Sequence, residues 1–222
     1  LIGVIGYWFS SYADFKGLET LTPQFERLIL FTYPLFVLLL GAAMFHMPLR
    51  WKPLVAFGIA YLGLAVVFLA DFKTGGGDIV VGALWVLGAA VTFALYQLLA
   101  GGSIAVMGAP LFTSVAMTGA AAVILMLFLL THPLSALVVS SRAFALAVAL
   151  AIGATILPSF LMSAALSRIS AAANSTIGTL SPVVTLFLAV LILGEPLRGV
   201  DLLGTALVVG GVGLFTIVDR RR

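Results

Sequence analysis

The sequence predicts an all-α polytopic membrane protein: eight transmembrane helices of an expected ten, arranged as two inverted five-helix repeats, the first lacking its first two helices. Three observations predict it. The 222 residues are 63% hydrophobic and only 9% charged, with a mean hydropathy of +1.26, whereas a soluble chain is about a quarter charged. The charges bound long apolar runs. Part of the sequence repeats itself at a fixed offset.

Eleven basic and eight acidic side chains cannot cover a water-soluble surface, which excludes a cytosolic enzyme, a nucleic-acid binder and a disordered regulator. The net charge of +3 comes from scattered residues, which in a membrane chain are topology signals. Cysteine is absent, so disulfides and thiolate metal sites are excluded. The two histidines, His46 and His132, are isolated, and no metal or other cofactor is expected.

A spanning helix needs roughly 17 to 25 mainly apolar residues. Charge gaps and turn residues place such runs at 1–21, 24–46, 53–70, 79–100, 109–131, 143–167, 171–194 and 199–218. The 63 uncharged residues between Asp78 and Arg142 must hold two spans, with Gly101-Gly102-Ser103 and Gly108-Ala109-Pro110 as the turn signals between them. His132-Pro133 closes the second. The runs are too long and too uniformly apolar for barrel strands.

Tyr33-Pro34-Leu35 matches Ser181-Pro182-Val183, and Pro48-Leu49-Arg50 matches Pro196-Leu197-Arg198, both at an offset of 148. The same offset pairs Ser11 with Ser159, Ile29 with Ile177 and Gly63 with Gly211. Two prolines, an arginine and a glycine in one register outweigh any number of leucine matches. The first three spans thus correspond to the last three. The expected organisation is the end of a first repeat at 1–71, a linker at 72–78, a complete second repeat at 79–218 and a basic tail at 219–222. Two spans, in about 70 residues, are expected upstream. An odd number of helices per repeat inverts the second copy. Arg50 and Lys52 make one loop basic, while its equivalent with Glu195, Arg198 and Asp201 is net acidic, as inverted repeats under the positive-inside rule require. The bias puts the C-terminus in the cytoplasm of a protein of the cell inner (cytoplasmic) membrane.

Ser181-Pro182-Val183-Val184, Leu193-Gly194-Glu195-Pro196-Leu197 and the glycine-rich run from Gly204 to Val212 resemble the end of an EamA-type repeat of the drug/metabolite transporter superfamily. The resemblance implies ten helices in two inverted repeats, cytoplasmic termini, and export or exchange of small metabolites. His46-Met47 stands where the second repeat has Gly194-Glu195, so no role of that pair carries to the first half.

A transporter needs polar groups facing a shared cavity. Tyr7, Ser11 and Asp14 lie on one helical face and map at the repeat offset to Thr155, Ser159 and Met162. Asn174, Gly178, Ser181 and Thr185 form a second stripe, partnered by Glu26, Leu30, Tyr33 and Val37. Trp85, Thr92 and Tyr96 share a face of the fourth span. The expected substrate-binding residues are Tyr7, Ser11, Asp14, Glu26, Tyr33, Trp85, Tyr96, Ser159, Asn174 and Ser181. Each also has a plain structural use, as a helix-packing hydrogen bond or an aromatic anchor. Asp14 is short, inside a span and unable to snorkel far, which favours function; its plain alternative is a salt bridge to Arg27. Glu26 also suits the first turn of a helix capped by Thr22-Pro23. Pro34 and Pro182 are the expected hinges, each freeing a carbonyl one turn earlier.

The sequence thus favours a secondary transporter of small metabolites or drugs by alternating access, in contact with a small-molecule substrate and the lipid bilayer and with no nucleic acid. It has no phosphate-binding loop for direct ATP use, and proton coupling and plain exchange are both open. A membrane-embedded lipid-modifying enzyme would call for a histidine, carboxylate or metal constellation at one interface, and a scaffold would need no matched polar faces.

The topology is directly testable because the chain has no native cysteine. A cysteine at Thr74 should react with an impermeant thiol reagent on intact cells and one at Arg222 should be spared; the opposite labelling would invert the assignment.

Overall fold

The computed structural model describes residues 1–47, 77–177 and 198–220, with single helical positions within 58–69 and 184–192. Much of the span expected at 53–70, part of that at 171–194, Ser181, Pro182 and the Glu195 loop lie outside the described residues, and so does the linker up to residue 76.

Within the described residues the chain is helical. Helix α1 is a π-helical segment, Val4–Phe9, running into Ser10–Leu18. Thr22 caps α2, Pro23–Leu30, accepting a hydrogen bond from the Phe25 amide (3.3 Å), with Pro23 in the first turn. Both residues have the expected roles: the threonine oxygen satisfies an orphan amide and proline has none to satisfy. A short turn at Phe31-Thr32 leads to α3, Tyr33–Phe45. Pro34 has no amide for the Leu30 carbonyl, and the helix is interrupted there. Helix α4 is Gly77–Met107, α5 is Ala109–Thr131, and α6 runs through Ser141–Leu150, a π-helical Ala151–Ile156 and Leu157–Leu166. Helices α7, Ala171–Ile177, and α8, Gly199–Arg220, follow.

Among the described residues four helices are long and apolar enough to cross a membrane: Phe25–Phe45, Asp78–Met107, Ala109–Thr131 and Ser141–Leu166. The fourth span does not stop near residue 100. Gly101-Gly102-Ser103 lies inside α4; glycine costs a helix only about 1 kcal/mol, and an apolar layer offers an opened turn no water. The break is at Gly108, whose φ of 78° favours glycine, with Pro110 in the first turn of α5. His132-Pro133 ends α5 as expected, His132 being extended.

Helix α4 is the centre of the assembly, in contact with α1, α2, α3, α5, α6 and α7. Small residues let it approach closely: Ala13 on α1 and Ala89, Ala90 and Ala94 on α4 are fully buried, the usual way helices meet where lipid removes the hydrophobic drive. Larger side chains, Phe25, Ile29, Val37 and Val86, complete this core. The outer surfaces of α5 and the first half of α6 remain apolar and exposed, with Leu125, Leu129, Phe144 and Leu150 among them, as suits faces turned to hydrocarbon.

The α1–α4 crossing is tight at Gly17, where an added Cβ would collide with the Val86 side chain, whereas one at Gly88 would meet nothing within 4 Å. Gly17→Ala should therefore lower stability by about 1–3 kcal/mol, with Val86→Ala relieving part of the loss, and Gly88→Ala should be neutral or favourable by up to about 1 kcal/mol. Thermal unfolding of the detergent-solubilised variants measures both.

Candidate functional site

Helices α1, α2, α4 and α6 enclose an open cavity of about 340 Å³. Tyr7, Ser11 and Asp14 reach it from α1, and Thr155, Ser159 and Met162 from α6. The six residues paired by the repeat offset thus line one space. Gly6, Ser10, Arg27, Leu30, Phe93, Ala154 and Pro158 complete the lining.

Each face reaches the cavity for a local reason. The π-helical segments of α1 and α6 occupy nearly equivalent places, one residue out of the 148-residue register. A π segment shifts the helix face and weakens its backbone bonding, and such segments concentrate at functional sites. In α6 Pro158 adds to this by withholding an amide from the preceding turn, next to Ala154 and Thr155 at the cavity wall.

Two polar links frame the cavity. The Tyr7 and Tyr96 hydroxyls are 2.9 Å apart with their rings edge to face, and Ser163 lies beside Tyr96. Asn174 of α7 donates through Nδ2 to Gln97 Oε1 at 2.9 Å, and Tyr33 is within hydrogen-bonding reach of Gln97. Tyr96 and Gln97, neighbours on α4, thereby tie it to α1 on one side and to α3 and α7 on the other. Ser10 adds a bond to the Ala89 carbonyl at 3.2 Å.

The acidic residues are arranged unexpectedly. Arg27 does not pair with Asp14; its Nε lies 3.2 Å from Glu26 Oε2. Lys16 pairs with Glu19 at 2.9 Å. Glu26 is 1% exposed and its carboxyl lies beside that of Asp14. Asp14 Oδ1 and Glu26 Oε1 are both buried without a hydrogen-bond partner among the described residues.

Of the residues singled out in the sequence, Tyr7, Ser11, Asp14 and Ser159 line the cavity; Glu26 adjoins it through Asp14 and Tyr96 through Tyr7. Tyr33 and Asn174 lie in the Gln97 link, away from the lining. Trp85 is elsewhere, edge-on to Tyr12 at 5.9 Å, an aromatic anchor. Thr92 bonds its own backbone, to the Gly88 carbonyl at 3.0 Å. Sequence reasoning passed over Gln97, although it is the one Gln or Asn in the 63-residue uncharged stretch. It also passed over Arg27 and Phe93 as lining residues. His46 caps α3 in the left-handed region, His132 stacks on Phe128, and among the described residues no three His, Cys, Asp or Glu gather as a metal site would need.

The Tyr7–Tyr96 bond can be measured. Tyr7→Phe and Tyr96→Phe in a double-mutant cycle on thermal stability should show a coupling of about 0.6 kcal/mol, the average for membrane interhelical bonds; additive effects would show that the hydroxyls do not bond each other.

Comparison with known proteins places this geometry in context. The family description "EamA-like transporter family" matches residues 80–217. An uncharacterized transporter, YcbK of Bacillus subtilis (strain 168), is 28% identical over 229 residues, covering 97% of this chain and 69% of that protein. One solved structure, titled only as the crystal structure of a protein, shares the fold with a TM-score of 0.71 at 23% identity, over all of this chain and 76% of its own.

Proposed function

The chain belongs to the EamA-like transporter family, and on that premise we propose that it is a secondary transporter carrying small metabolites or drugs across the cytoplasmic membrane by alternating access. The supporting observation is the cavity lined from both sides by the repeat-paired residues Tyr7, Ser11 and Asp14 and Thr155, Ser159 and Met162. Two inverted repeats that rock about one site present equivalent faces to it.

The cavity combines hydroxyls, a carboxyl and a guanidinium with Phe93, Leu30 and Met162, so its occupant is a small molecule with both polar and apolar parts. The π segments and the interruption at Pro34 supply the compliant points at which α1, α3 and α6 bend; Pro182 is the repeat equivalent of Pro34 and the second proposed hinge. Ser181 completes the proposed polar set. The ten-helix inverted-repeat layout and the cytoplasmic C-terminus belong to the same proposal. A lipid-modifying enzyme is the weaker reading, because the cavity holds neither a histidine nor a metal-type cluster among the described residues.

Solute counterflow into proteoliposomes of the full-length protein, across amino acids, nucleosides and cationic drugs, tests the reading. Filling the cavity by Ser11→Trp or Thr155→Trp should cut counterflow at least about tenfold, equivalent to about 1.4 kcal/mol. Ile124→Trp, on the exposed surface of α5, should leave it unchanged. Equal activity in all three variants would remove the cavity from the mechanism.

A further inference from the structure

We infer that Asp14 and Glu26 form a two-carboxyl proton site, reached from the cavity through Asp14, and that the proton held there is the coupling ion; the coupling half of this rests on the transporter reading above.

The argument begins with atoms. Glu26 is 1% exposed and gives Oε2 to Arg27 Nε at 3.2 Å. Its other oxygen, Oε1, is buried and unpartnered, and so is Asp14 Oδ1 on the neighbouring helix, with the two carboxyls side by side. An ionised carboxylate offers only lone pairs, so the two can bond each other only if one carries a proton. Charge counting gives the same result. One guanidinium balances one carboxylate, and the second would be an uncompensated charge in an apolar layer. One proton shared by the pair satisfies both orphan oxygens and leaves the cluster neutral.

Among the described residues the surroundings leave that balance intact. On α1, Lys16 is engaged by Glu19 at 2.9 Å, and Tyr7 is occupied by Tyr96. The α4 helix has Asp78 in its first turn and no other charged residue. The α3 helix has none and contributes Tyr33. The α6 helix has Arg142 at its far end and turns Thr155 and Ser159 to the cavity. In sequence, α8, which touches α2, begins with Arg198 before it and Asp201 in its first turn.

Access is what makes the pair a coupling site. Asp14 and Arg27 line the cavity while Glu26 lies behind them. A cationic group on a solute, paired with Asp14, replaces the proton's charge and competes with it for the same carboxyl. Solute binding then releases the proton into the cavity and proton binding releases the solute, which is the exclusivity that antiport needs.

Infrared difference spectroscopy of the full-length protein in lipid, between neutral and strongly alkaline buffer, where exposed carboxylates stay ionised throughout, reads the proton directly. The wild type should show a protonated-carboxyl band equivalent to one proton. Asp14→Asn and Glu26→Gln should each abolish it, since either leaves one carboxylate matched by Arg27. Arg27→Gln should roughly double it, and Glu19→Gln, whose acid belongs to the Lys16 pair, should leave it unchanged. If Glu26→Gln fails to fold, Asp14→Asn and Arg27→Gln decide alone. A band that survives both Asp14→Asn and Arg27→Gln unchanged overturns the site. Coupling is read in proteoliposomes: a pH gradient should drive uptake of a solute that the wild type exchanges. Counterflow without gradient-driven uptake refutes coupling and leaves the transporter. Absence of counterflow for every solute refutes the transporter and the coupling with it, while the infrared result still decides the proton site.

Discussion

Inside an apolar layer a polar side chain has no water to fall back on, so every hydroxyl, amide and carboxyl must find its partner on the protein. The helix α4 answers this constraint for most of the molecule. Its neighbours Tyr96 and Gln97 point to different sides, one meeting Tyr7 of α1 at 2.9 Å and the other Asn174 of α7 at 2.9 Å. Alanines above them bring the helices close enough for such short links, and Ser10 reaches the Ala89 backbone across the same gap. Among the described residues the pairing is incomplete at Thr32 Oγ1, Gln97 Nε2 and Ser163 Oγ, and at the carboxyls beside the cavity. Along its wall the hydroxyls of Tyr7, Ser10 and Ser159 are already engaged, while Asp14 keeps a buried oxygen unpartnered.

The two π segments give the halves of the site the same compromise. A regular α-helix bonds each carbonyl and is stiff; a π turn gives up part of that regularity. Val4–Phe9 and Ala151–Ile156 do this at nearly equivalent points of helices facing each other across the cavity. Proline follows the second segment, at Pro158, and the first has none. In α6 the missing Pro158 amide builds part of the irregularity into the covalent chain. The segment in α1 is held by the Tyr7–Tyr96 hydrogen bond and by close packing of Gly6 on Tyr96 and of Gly3 on the α5 backbone at Ala116. The two backbone irregularities thus fall within one residue of the offset that pairs Ser11 with Ser159.

What the sequence could reveal follows from which forces act along the chain and which act across it. Helix lengths are legible because the hydrocarbon thickness sets them, and α5, α6 and the Thr22-Pro23 cap came out within two residues of expectation. Gly101-Gly102-Ser103 misled because turn propensity learned in water weakens where an opened backbone has no solvent to bond. The cavity was half legible: a constant offset paired Tyr7, Ser11 and Asp14 with Thr155, Ser159 and Met162, and all six line one space. The rotation of each helix was not. Trp85 and Tyr96 share a face by spacing, yet Trp85 meets Tyr12 at the exposed surface while Tyr96 is buried. No spacing rule within one helix tells which end of a stripe the neighbours will cover.

Glu26 shows how a correct local reading can hide a site. An acid in the first turn of a capped helix is favoured by the helix dipole, and the structure has it there with Thr22 as cap. That account is complete for an exposed glutamate. It is incomplete for one that is 1% exposed, because a dipole interaction at a helix end contributes only about 0.3–1 kcal/mol on an exposed surface, while burying an unmatched carboxylate costs several kcal/mol. Burial therefore outweighs the dipole. Arg27 supplies half the compensation at 3.2 Å, but Asp14 beside it restores the deficit. A purely structural pair would have evened this count with a second cation, and Lys16, two residues from Asp14, is directed to Glu19 instead. Among the described residues the cluster holds two acids, Asp14 and Glu26, to one base, Arg27, at the point where it meets the cavity.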